Sequence, residues 1–175
     1  MLEKNYSKEA ILKAIISEVK YRLGEESIPR IVKCLDQFSE DEVWKRPNEN
    51  LVSMGNLILH LCGNVRQYIM FGLDGQPDQR QRQSEFNTQG PIAKSQLLND
   101  LDQVFQDVSK VLDELSPEIL TKTIKVQGMD YTGFGILMHV VEHFSYHVGQ
   151  ITWHTKLTRN MDMNYYEGKD LNLTG

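Results

Sequence analysis

The sequence predicts an all-α protein, a four-helix bundle with one long crossover loop. Three observations predict it. Apolar residues recur at helical spacing in four separated segments. Capping and breaking residues bracket those segments. A polar stretch between the second and third is long enough to cross from one end of a bundle to the other.

In the first segment Ser7 is the expected N-cap, with Glu9 in the first turn. Ile11, Ile15, Val19 and Leu23 follow at helical spacing. Pro29 is expected to kink or divide the helix, and Ile31, Leu35 and Phe38 resume the pattern. Ser39-Glu40-Asp41-Glu42 has the form of a capping box opening a short helix that ends before Pro47. Ser53 starts the second long helix, whose apolar face is Leu57, Leu61, Val65, Tyr68 and Ile69. Asp74-Gly75 and Pro77 end it. Residues 74–90 are polar, Gln-rich and closed by Gly90-Pro91, which reads as a connection within one domain.

The third helix carries Leu97, Leu101, Val104, Val108 and Leu112 with a regular period and stops at Ser116-Pro117. Residues 121–132, with Ile124-Lys125-Val126 followed by Gln127-Gly128, fit a turn or short hairpin. The last helix is expected from about Thr132 to Thr158, with Ile136, Val140, Phe144, Val148, Ile151 and Leu157 as its apolar positions. The tail from Asn160 has no period, but Met161, Met163, Tyr165 and Tyr166 can pack against the body or a second subunit.

Composition narrows the function. At 175 residues the chain suits one domain, residues 1–175, with a real core. A net charge of −5 argues against nucleic acid as a partner, since phosphate binding needs a basic surface, and Arg80-Gln81-Arg82 is too small to reverse that. No run of 18 apolar residues suggests a membrane span. Met1–Tyr6 lacks the basic-then-apolar form of a secretion signal. Cys34 and Cys62 make no disulfide framework, and a cytoplasmic location is expected.

The chemistry concentrates in the last helix. His143 and His147 lie one turn apart and can reach one metal ion from one face. His139 continues the stripe, and His154 falls near it further along. Two histidines hold a catalytic metal poorly. The remaining candidate, His60, sits mid-helix on a polar stripe between Asn56 and Asn64. A metal shared with His143 and His147 would satisfy it; a hydrogen-bonded core histidine is the commoner fate of such a residue. Cys62 points away from His60 and reads as packing. The zincin motif is excluded, because Phe144 stands where its general base belongs. No catalytic base or nucleophile is legible.

These residues, in this order, resemble the DinB-like superfamily, which includes the YfiT-like metal-dependent hydrolases and thiol-dependent transferases. Trp44 and Pro47 come first, then Ser53, Asn56 and His60 running into Leu61-Cys62-Gly63-Asn64, then His143-Phe144-Ser145-Tyr146-His147-Val148-Gly149-Gln150. The resemblance spans about residues 30–157. It implies an up-down-down-up four-helix bundle of DinB-like type, a homodimer, and a divalent metal held by His60, His143 and His147. Imidazole ligands suit zinc or nickel first, with iron, manganese or copper as further candidates. Gln150 falls on the ligand face; Asn56, Asn64 and His139 are further candidates to support the ligands or meet a substrate. The implied function is a metal-dependent enzyme acting on a small molecule, as an S-transferase using a low-molecular-weight thiol or as a hydrolase. The alternatives are a non-enzymatic metal-binding or stress-response module, and a metal-free bundle with a histidine stripe.

Overall fold

The computed structural model describes residues 7–174. Helix α1 (Lys8–Lys20) begins where expected, with Ser7 Oγ accepting the Ala10 N–H at 3.2 Å. The backbone stays helical beyond it, through wider π-type turns at Tyr21–Ser27 and into α2 (Ile28–Leu35). Pro29 therefore divides the helix without interrupting it. The Ile28 N–H reaches back five residues to Leu23 O, so the bonding pattern changes just before the residue that has no N–H to give. Helix α3 (Glu40–Val43) carries the full capping box. Ser39 N donates to Glu42 Oε2 at 2.8 Å, and Glu42 N donates to Ser39 Oγ at 3.4 Å.

Helix α4 (Met54–Val65) opens at Ser53 and again runs into π-type turns, Arg66–Leu73. The crossover is not wholly irregular: residues 82–87 form α5 (Arg82–Asn87). Helix α6 spans Lys94–Glu114, followed by a 3₁₀ turn at Pro117–Thr121. A two-stranded antiparallel hairpin, β1 (Thr123–Val126) and β2 (Met129–Thr132), then modifies the all-α expectation. Gln127 and Gly128, at φ 52° and 79°, form its two-residue turn; positive φ at both positions matches the twist of the strands. Helix α7 (Gly133–Arg159) is capped by Thr132, and Asn160 ends it in the left-handed region at φ 49°.

The protein is thus mostly helical with a small hairpin. Its core is built from residues such as Ile31, Leu35, Ile58, Leu61, Leu112 and Ile136, all fully buried. Each contributes about 1.5–3 kcal/mol of burial. Helix α4 packs against α5, α6 and α7, and α7 also packs against α2. Leu157, expected in the core, is 64% exposed, one turn past the equally exposed Trp153 on an outward stripe. The tail packs on the body: Met163 is buried, and the Tyr165 hydroxyl lies 2.8 Å from Thr152 Oγ1. No helix among the described residues is long and apolar enough to cross a membrane. Met1–Tyr6, on which the reading of no secretion signal rests, lies outside the described residues.

Candidate metal centre

Ten of the twelve residues of α4 are buried, so a polar residue in its middle has to find partners inside the protein. His60 is that residue, 3% exposed. Across the interface α7 presents His143 and His147 from successive turns, both half-buried. The three imidazoles converge: one ligand atom from each lies within 4.8 Å of the others. His60 Nε2 and His143 Nε2 are 2.9 Å apart. The His60 ring meets those of His143 and His147 edge-on, with centroids 5.0 Å away in each case.

This donor set fits a borderline divalent cation. Two ring nitrogens facing one another at hydrogen-bond distance share at most one proton, whereas a cation between them satisfies both lone pairs. The protonation state fits as well. Burial pushes the His143 pKa down to about 3, helped by repulsion from His147, His60, His139 and Arg80. Burial also lowers His147, opposed by its bond to Gln150. Neutral imidazole is the form that coordinates metal.

Around this trio the expected supporting residues fall into different places. Gln150 Oε1 lies 2.7 Å from His147 Nδ1, which leaves Nε2 as the ring atom for coordination. His139 stands outside the trio. It stacks between Tyr68 (4.1 Å between centroids) and His143 (5.3 Å), and its buried Nε2 has no hydrogen-bond partner. His154 stacks on Phe38 instead. Neither asparagine beside His60 bonds to it. Asn56 Oδ1 accepts the Ser53 N–H and hydroxyl at 3.2 and 2.7 Å; its Nδ2 donates to the carbonyls of Glu85 and Thr88 at 2.9 and 2.7 Å. Asn64 is buried with Oδ1 unpaired.

The residues that do meet His60 come from the crossover and were not foreseen. Glu85 Oε2 lies 2.8 Å from His60 Nδ1. Arg80 grips the same carboxylate with Nε at 2.7 Å and Nη2 at 2.8 Å, and donates from Nη1 to Gln67 Oε1 at 2.9 Å. Phe86 lies against the His60 ring at 4.8 Å. Burial works to raise the Glu85 pKa, but the bonds and charges of Arg80 and His60 overcome it and hold the carboxyl below its usual range. A cavity of about 660 Å³ lies between this segment and α4. Cys62, Gly63, Gln67, Arg80 and Glu85 line it, and the three histidines do not.

Comparison with known proteins agrees with this architecture. A family described as "Protein of unknown function (DUF1572)" matches residues 10–167. No curated protein matches. Among solved structures, a DinB-like protein from Bacillus cereus is 16% identical with a TM-score of 0.64, covering 86% of this chain and 94% of its own. A DinB-like protein from Bacillus subtilis is likewise 16% identical at 0.64, covering 89% and 99%. At that identity the likeness is one of fold.

Proposed function

We propose that this chain, which belongs to the DUF1572 family of proteins of unknown function, is a metal-dependent enzyme acting on a small molecule, through thiol transfer or hydrolysis. The observation that carries the reading is the meeting of His60 from α4 with His143 and His147 from α7, their ligand atoms within 4.8 Å of one another. We read the long helical segments as a four-helix bundle of up-down-down-up order, which places inward side chains of facing helices around one site.

His60, His143 and His147 would hold the ion, and their donor chemistry favours zinc or nickel. Bound there, a divalent cation lowers the pKa of a water or thiol and so supplies a nucleophile near neutral pH. The chain's own residues do the rest. Burial lowers the pKa values of His143 and His147 and so favours the neutral form that binds metal. Gln150 accepts from His147 Nδ1–H and holds that ring in one tautomer. Three protein ligands would leave the ion a coordination position for a reactant, as catalytic sites require.

Protein made without a polyhistidine tag should carry about one divalent ion per chain by elemental analysis. His147→Ala should lose most of it. The metal-loaded protein should turn over a thiol with a small electrophile, or a hydrolysable ester or amide, well above that variant. A metal-free preparation after reconstitution, or equal activity in the variant, would overturn the proposal.

A further inference from the structure

We propose that Arg80 and Glu85 form a positioning device that locks His60 as a metal ligand, so that the crossover belongs to the metal centre. This rests on the reading of His60 as a ligand. The ion pair is deeply placed, its side chains only 4% and 10% exposed. A buried ion pair is a weak source of stability, because desolvating two charges cancels most of their attraction. Its arrangement does something more specific than hold the fold.

An ionised carboxylate only accepts hydrogen bonds, and a guanidinium only donates them. Two groups meet His60 Nδ1, Glu85 Oε2 at 2.8 Å and Arg80 Nη2 at 3.1 Å. The nearer one is the acceptor, and Arg80 Nη2 is already spent on that carboxylate, so the proton is assigned to Nδ1. The lone pair is then on Nε2, the atom that faces His143 at 2.9 Å. Arg80 holds the carboxylate through two parallel bonds, which fixes its plane and keeps it charged. Gln67 Oε1 receives the third Arg80 bond, and Gln127 Nε2 from the hairpin turn donates to that same oxygen at 2.7 Å. The backbone of α5 is pinned independently, by Asn56 Nδ2 on the carbonyls of Glu85 and Thr88. Gly63 completes the cradle: a Cβ there would collide with Glu85 Oε1. Every one of these contacts converges on one proton at one ring nitrogen.

The test uses the full chain, Co(II) as probe, and two versions of the site: Glu85→Ala, and the double replacement Arg80→Met with Glu85→Leu. The double variant substitutes apolar side chains of similar size for the ion pair and avoids a lone buried charge, so it keeps the fold if the single variant does not. Co(II) affinity is measured by chelator competition and its coordination by visible absorption. The His60 tautomer is read by ¹⁵N NMR of the metal-free protein. The wild type should show Nδ1–H at His60. The folded variants should lose that single tautomer and bind Co(II) about 10- to 100-fold more weakly, with an altered spectrum. Unchanged affinity, spectrum and tautomer would overturn the inference while leaving the metal site standing. If the wild type binds no Co(II), the metal reading falls, and the tautomer comparison alone decides whether Glu85 sets His60.

Discussion

Gly63 faces the Glu85 carboxylate, and its lack of a side chain is what lets that group approach α4. Gly63→Ala should weaken Co(II) binding several-fold without removing a single ligand or hydrogen-bonding group, as measured by chelator competition. Alanine ordinarily favours a helix by about 1 kcal/mol over glycine, so a weaker site in this variant would point to the displaced carboxylate. The trio itself was legible from sequence for physical reasons. His143 and His147 are one turn apart, and His60 lies on a polar stripe, between Asn56 and Asn64, of a mostly apolar helix. Arg80 and Glu85 were not legible. Their partner lies 20 and 25 residues away, in a Gln-rich stretch with no period, which looks the same whether solvated or folded back. Neither asparagine bonds to His60 directly, because adjacency on a helix shows which residues are near, not which ones bond; Asn56 instead holds the backbone of Glu85.

Element boundaries were legible wherever a side chain takes over a backbone partner. Ser7, Ser39, Ser53 and Thr132 all cap as their chemistry demands. The hairpin was legible through Gln127-Gly128. The π-type turns were not, since nothing in composition marks where a helix widens by one residue. The capping box at α3 also reaches across the fold: Glu42 Oε2 pairs with Arg159 Nη2 at 2.7 Å, near the end of α7. The bond from Arg159 and the Ser39 backbone hold the Glu42 pKa down to about 2. A carboxylate with a depressed folded pKa binds fewer protons than the unfolded chain between that value and about 4.5. Its contribution is therefore complete above about pH 4.5 and is lost as pH falls toward 2. Thermal unfolding followed between pH 5 and 3 should show a shallower acid slope in Glu42→Gln than in the wild type.

At the scale of the molecule, the site joins parts of the chain that folding must first bring together. His60 and His143 are 83 residues apart, on helices that pack directly against each other. An ion held by both binds only the folded chain, so it should stabilise the whole protein by about 2.7 kcal/mol at a free concentration 100-fold above its dissociation constant. Chelation should lower the melting temperature of the wild type and leave that of His147→Ala nearly unmoved, as calorimetry would show. The crossover bears on the same coupling through the wall it shares with α4. Cys62 on that wall is 3% exposed, and burial pushes its thiol up to about 12. Alkylation of that sulfur waits on two rare events, loss of its proton and a local opening of the packing around α4. Its labelling rate is therefore a clock already present in the natural sequence, ticking each time the packing around α4 comes loose.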